Sequence, residues 1–289
     1  MDLGDVKFLL GLGGKRNVDA GTIRPTQDAY VKAVLDKLGM ADVHPAKTPA
    51  EAGPICIEEE EIMSLEDIKF SRSATGSLPY LSRCTRSDIT HSVMVSTRSM
   101  SKPGPRAMSK LTRVLTYLKG TVSTTITYGE DDEDGDNLTS FVDSDHAGDQ
   151  DKGCSTTGVV VNYADEPENW KSTKQPVAIS TGEAEYVAMS KSCVMILFFR
   201  NSSESVYEKQ KTATVLSEDN SGAVSLSRSA KITPRTKHID ETFHHVKSLV
   251  AKGVVDVTYI KTELQRADIL TESLGAVKVL KNRLLLPGV

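Results

Sequence analysis

Four short acidic motifs in the second half of the chain carry the residues best suited to chemistry: FVDSDHAGD around Asp143, STGEAEYVAM around Glu183, VLSEDNSGAV around Asp219 and QRADILT around Asp268. Each acid stands where an apolar strand ends or a helix begins. Carboxylates converging from separate elements form a hard-oxygen cage of the kind that holds Mg²⁺ or Mn²⁺. Two such ions about 3.5–4 Å apart can activate a water and stabilise the leaving oxygen of a phosphodiester. The chemistry these residues suggest is metal-dependent phosphodiester hydrolysis.

The 289 residues suggest one large domain or two smaller ones. Apolar content of 38% and charged content of 26% fit a soluble globular protein. The longest apolar run, Cys193 to Phe199, is far short of the roughly 20 residues a membrane span needs, and the first residues lack the order of a signal peptide. Cys56, Cys84, Cys154 and Cys193 are scattered without a C-x-x-C pair, which argues against zinc and for reduced thiols in an intracellular protein, cytoplasmic or nuclear rather than secreted. A net charge of −4 gives little support for nucleic-acid binding. The average hides blocks, however: acidic runs at Glu58–Glu61 and Glu130–Asp136, and a basic stretch of Arg228, Lys231, Arg235 and Lys237 with His238 beside it. Arg235, Lys237 and His238 are candidates for phosphate or substrate contact, against a solvated loop and helix start.

Hydrophobic periodicity supplies the elements that must position the acids. Val6–Leu12 reads as a strand, a further extended stretch follows near Thr22, and TQDAYVKAVLDKLGM reads as a helix capped by Thr26 and stopped by Gly39. Residues 49–69 read as a linker. Residues 70–136 read as a mostly helical segment, in which Leu111, Val114, Leu115 and Leu118 form an amphipathic stripe. From 137 the pattern turns strand-rich. LTSFVDSD, TGVVVNYAD and ENWKSTKQPVAIS make a three-strand meander, with Pro176 placing the third at an edge or bulge. A long helix (EAEYVAMSKSCVMILFFR), a fourth strand (TATVLSED), a short and a longer helix, a fifth strand (VVDVTYI) and a final helix from ADILTESL complete the pattern. Strand–helix alternation after a meander implies an α/β fold with a mixed sheet.

The blocks SRSATGSLPYLSRCTRSDI, LTRVLTYLKGT, FVDSDHAGDQDKGCSTTG, TKQPVAISTGEAEYVAM, EDNSGAVSLS, RTKHIDETFHHV and QRADILTESL follow one another as in copia-type LTR retrotransposon Pol polyproteins. The chain resembles the end of the reverse transcriptase, a connecting segment and the ribonuclease H domain of that family. No YVDD motif is present, so the polymerase active site is absent. The resemblance implies a ribonuclease H-like mixed five-stranded sheet with helices on both faces over residues 137–289, preceded by a small, mostly helical reverse-transcriptase remnant over residues 1–48. It implies hydrolysis of the RNA strand of RNA–DNA hybrids with two Mg²⁺ or Mn²⁺ ions. The expected partners are the hybrid and reverse transcriptase or other Pol products, in the cytoplasm within a virus-like particle or in the nucleus. Residue by residue, the motifs assign Asp143, Glu183, Asp219 and Asp268 as catalytic and metal-ligating acids.

Glu183 and Glu185 lie two positions apart on a helix, so only one of them readily faces the site. Asp219 and Asn220 can also serve simply to cap the helix that follows. Ser144 and Asn220 are candidates for sensing the 2′-hydroxyl that marks RNA. The chain departs from the family in several places. Gly182 replaces a Thr suited to capping, KQPVAIST is one residue short, Pro79 falls inside a helix, and CVMILFF is apolar on nearly every face. These departures sustain an alternative, a catalytically inactive remnant that binds nucleic acid or a partner.

Overall fold

A computed structural model describes residues 7–56, 63–129, 137–206, 209–229 and 240–285. The chain packs as two units, residues 1–131 with 273–289, and residues 132–272.

The first unit opens with a small antiparallel sheet of β1 (Phe8–Leu9), β2 (Leu12–Asn17) and β3 (Thr22–Thr26). Helix α1 (Asp28–Lys37) buries Val31, Val34 and Leu35 and is stopped by Gly39, whose φ of +67° suits a residue without Cβ. Its N-cap is Gln27 rather than Thr26, with no side-chain capping bond. Helix α2 (Leu65–Cys84) starts inside the stretch read as linker. The reason is a local cap: Ser64 Oγ accepts from the Asp67 backbone N–H at 3.1 Å. Pro79 does lie inside this helix, as expected. Helices α3 (Thr90–Arg98) and α4 (Pro105–Gly120) complete the bundle, with Leu111, Val114, Leu115 and Leu118 all buried. Helix α8 (Ala276–Leu285) belongs to this unit as well.

The bundle also buries an ion pair. Arg86 and Asp88 are bidentate at 2.9 Å, Tyr117 donates to Asp88 Oδ2 at 2.6 Å, and Arg86 donates to the Thr121 carbonyl and hydroxyl. The two charges are thus paired and further hydrogen-bonded, which is the condition for keeping them inside.

The second unit is an α/β fold of ribonuclease H-like arrangement. Strands β4 (Leu138–Asp149), β5 (Cys154–Tyr163) and β6 (Glu166–Lys174) form the antiparallel meander, and β7 (Thr214–Glu218) and β8 (Val255–Tyr259) add parallel to it, in the order β6-β5-β4-β7-β8. β6 is an edge strand and stops at Lys174, before Pro176, which has no N–H to pair. Helices α5 (Thr181–Val206), α6 (Ser221–Arg228) and α7 (Asp240–Ala251) provide the crossovers. The core joins Val142, Val159 and Val161 of the sheet to Tyr186, Met189, Cys193 and Ile196 of α5, with Leu216, Val246 and Val257. On the opposite face, Gly158 of β5 lies against Ala267, Leu270 and Thr271; a Cβ there would come within 2.8 Å of the Ala267 carbonyl.

The expected final helix from ADILTESL is instead a single 3₁₀ turn, Asp268–Leu270. Thr271 Oγ1 lies 3.0 Å from the Asp268 carbonyl, a local bond that competes with helix continuation. Regular helix resumes only at Ala276.

Candidate metal centre

Residues 138–149 run as one strand, and alternation sets Val142 and Ser144 towards α5 and Asp143 towards the other face. Thr271 Oγ1 hydrogen-bonds Asp143 Oδ2 and is also in reach of the Asp268 carbonyl. Asp143, Glu185 and Asp219 each offer a carboxylate oxygen within 4.8 Å of the others'. They come from β4, from the first turns of α5 and from the end of β7. Glu218, fully buried beside Asp219, is a further acid outside this mutual group but close enough to repel Glu185.

The electrostatics follow from that crowding. Burial pushes the Asp143 carboxyl up to about 7; Asp219 and Glu272 push the same way, and hydrogen bonds from Thr271 and the Ser144 backbone oppose them. Burial also raises Glu185, with repulsion from Glu218, Asp143 and Asp219 adding to it. Glu218 is raised well above its ordinary value, first by burial and then by Asp143 and Asp219, against a backbone bond from Asn220. Glu185 Oε2 and Glu218 Oε2 are buried without a hydrogen-bond partner among the described residues. Buried carboxylate oxygens with no donor are costly unless protonated or bound to a cation. The donor set, all hard oxygen, fits Mg²⁺ or Mn²⁺.

Glu183 lies outside this cluster, and Glu185, two residues on, lies within it. The cause is the helix start. Ser180 Oγ accepts from the Glu183 N–H at 3.2 Å, and Glu183 Oε2 accepts from the Ile179 N–H at 2.7 Å. That reciprocal cap commits Glu183 to the helix end. Two residues further on, Glu185 is 4% exposed and turned inward. The same cap makes Gly182 harmless, since Ser180 does the capping. Glu218 is a further acid that the motifs do not single out, although it follows Leu216 by two in a strand and so shares its inward face.

Asp268 is buried at the head of its 3₁₀ turn, outside the mutual 4.8 Å group. Asn220 is the N-cap of α6, with Oδ1 accepting from the Ala223 N–H at 3.1 Å; capping falls to Asn220 and leaves Asp219 to the cluster. The Ser144 side chain faces the interior, 5% exposed, its Oγ accepting from Gln175 Nε2 at 3.1 Å. Gln175, which lies in the TKQPVAISTGEAEYVAM block but is not one of its acids, is a buried hub. Its amide nitrogen also reaches Thr157 Oγ1 at 2.6 Å and the Ala184 carbonyl at 3.0 Å, so it ties β4, β5 and the start of α5 together beside Glu185. Arg235, Lys237 and His238 lie outside the described residues.

No helix among the described residues is long and apolar enough to cross a membrane. No family model matches the chain. Its relatives are more telling. It is 31% identical over 279 residues to the retrovirus-related Pol polyprotein from transposon TNT 1-94 of Nicotiana tabacum, covering 94% of this chain and 21% of that one. It is 31% identical over 191 residues to the uncharacterized mitochondrial protein AtMg00810 of Arabidopsis thaliana, covering 65% of this chain and 76% of that one. Among solved structures, LC11-RNase H1 in complex with an RNA/DNA hybrid aligns over 47% of this chain and 94% of its own, with 16% identity and a TM-score of 0.37. The chain thus spans about a fifth of the tobacco polyprotein's length. With nearly all of its residues aligned there at 31% identity, the chain belongs to the retrotransposon Pol polyprotein family.

Proposed function

We propose that the second unit hydrolyses the RNA strand of RNA–DNA hybrids, as the ribonuclease H portion of a copia-type polyprotein. The observation that carries this reading is the approach of Asp143, Glu185 and Asp219 from separate elements to within 4.8 Å, next to buried carboxylate oxygens that have no donor. Asp143, Glu185 and Asp219 would hold the metal, and Asp268 is the candidate, taken from the motif alone, for completing a second site. Bound there, Mg²⁺ or Mn²⁺ would supply Lewis-acid stabilisation of the phosphoryl oxygens and lower the pKa of the attacking water.

The chain's own residues do the positioning. Thr271 fixes the Asp143 carboxylate through its hydroxyl. Gln175 holds the first turn of α5 against β4 and so sets where Glu185 points. Asn220 caps α6 and frees Asp219. The Asn220 Oδ1 is taken by its cap and the Ser144 Oγ accepts from Gln175, so the Asn220 Nδ2 protons and nearby backbone groups are the candidates for meeting the 2′-hydroxyl.

The test is cleavage of a labelled RNA–DNA hybrid in Mg²⁺ or Mn²⁺, with Asp143→Asn alongside. RNA-strand cutting that Asp143→Asn abolishes supports the reading. Absence of cutting by folded wild-type protein overturns it and selects the alternative, an inactive remnant that at most binds nucleic acid or a partner.

A further inference from the structure

The first unit contains a cavity of about 290 Å³ lined mostly by hydroxyl and guanidinium side chains. Arg24 comes from β3, Thr121, Ser123, Thr124 and Thr125 from the turn after α4, and Arg283 from α8. The wall holds two guanidinium groups, four hydroxyl side chains and no acid.

Arg283 is held in place: Nη2 donates to Thr124 Oγ1 at 3.0 Å, while its Nε–H is buried with no partner among the described residues. Arg24 is exposed at the mouth and has no ion pair among the described residues. The nearby buried carboxylate, Asp88, is paired with Arg86 and also feels Arg283, so it offsets part of the Arg283 charge and leaves Arg24 as the more available cation of the wall. The Thr121 and Thr125 hydroxyls already donate to the Tyr117 and Pro25 carbonyls, which leaves Ser123 and Thr124 as hydroxyl donors; two arginine forks beside them, in a wall that holds no acid, match a tetrahedral anion with several acceptor oxygens. The volume exceeds a bare phosphate and leaves room for an attached group.

We infer that this cavity is a phosphate-binding site, taking either a backbone phosphodiester of a nucleic-acid strand or a free oligophosphate. The inference goes beyond the nuclease reading and does not depend on it.

The experiment uses the full chain in EDTA, so that cleavage plays no part. Fluorescence anisotropy of a labelled RNA–DNA hybrid is followed over a salt series, and calorimetric titration is run with inorganic phosphate and with pyrophosphate. Two variants are compared with wild type: Arg24→Gln/Arg283→Gln, which removes the cations, and Ser123→Asp, which places a carboxylate at an exposed position in the cavity wall. The expected result is about a tenfold loss of hybrid affinity in both, with the slope of log K on log salt becoming shallower by about 0.9 for each phosphate no longer bound. Loss of phosphate or pyrophosphate binding in both variants, with hybrid affinity intact, identifies a free oligophosphate as the ligand. Folded variants that match wild type in every titration overturn the inference. So does a loss confined to the arginine variant, because Ser123→Asp acts within the cavity alone.

Discussion

Exchanging Glu185 for Gln, with Glu183→Gln as its partner experiment, separates the roles of the two neighbouring acids. The Asp143, Glu185 and Asp219 oxygens lie within 4.8 Å of one another. At an effective dielectric of about 20, two full charges at that distance repel by roughly 3.5 kcal/mol. Glu185, facing Glu218 as well, therefore holds its proton when no cation is present. Glu185→Gln replaces one neutral group by another of the same shape and should change stability in EDTA by less than about 1 kcal/mol. With metal the outcome differs, because binding needs the carboxylate. Mg²⁺ at about a hundred times its dissociation constant stabilises the folded state by about 2.7 kcal/mol. For a unit of this size, that is a rise in Tm of about 10 °C. Glu185→Gln should abolish most of that rise. Glu183→Gln should keep it, while losing about 0.5 kcal/mol with or without Mg²⁺ as the charged cap on the Ile179 N–H is weakened. Thermal melts of the three proteins in EDTA and in Mg²⁺ decide the matter. A full Mg²⁺ response in Glu185→Gln, and its loss in Glu183→Gln, would refute the placement of the site.

Gln175→Ala removes the bonds to Ser144, Thr157 and the Ala184 carbonyl together; we expect a loss of about 2–3 kcal/mol, with the Mg²⁺ concentration needed for half-maximal thermal stabilisation rising several-fold, and an unchanged metal response would limit Gln175 to packing. Burial pushes His91 down to about 3, helped by Arg98 and Lys110, so its neutral form belongs to the fold. Stability from His91 is complete above its unfolded value near 6.5 and is lost as pH falls from there towards 3, by about 1.4 kcal/mol per pH unit; urea midpoints of wild type should fall across that window and those of His91→Leu should fall less, parallel curves being the contrary result. The β5–β6 turn sets Ala164 at φ +49° and Asp165 at φ +56°, a left-handed pair that suits glycine. Ala164→Gly should therefore raise stability by about 1 kcal/mol in a thermal melt, whereas a fall would show that the turn is not strained at that residue.

The sheet is legible in the sequence because its strands follow simple alternation: Val142, Val159, Val161, Leu216 and Val257 all point into one core, as period two requires. The surroundings of the acids are harder to read, each for a local reason. Ser180 and Glu183 form an S-x-x-E signature that assigns Glu183 to the helix cap; taken as such, it passes the inward role to Glu185 from sequence alone. Ser64 and Asp67 repeat the lesson at α2, where the cap lies inside a stretch that reads as linker. Asp268 cannot be placed by periodicity, because the Thr271 hydroxyl ends its helix after one 3₁₀ turn, and that hydroxyl's other partner, Asp143, is 128 residues away.

The same tertiary bond explains how the acids come together at all. Thr271 couples the Asp268 turn to the Asp143 carboxylate, Gln175 couples the α5 cap to β4, and Asn220 takes the capping duty that would otherwise fall to Asp219. Each acid of the cluster is thus held by a neutral side chain that satisfies the nearby backbone or carboxylate. The carboxylate oxygens left over, on Glu185 and Glu218, are the ones without donors. A fold that provides for its caps and turns with Ser, Thr, Asn and Gln, and leaves its buried carboxylates crowded, has put its electrostatic strain where a divalent cation would relieve it.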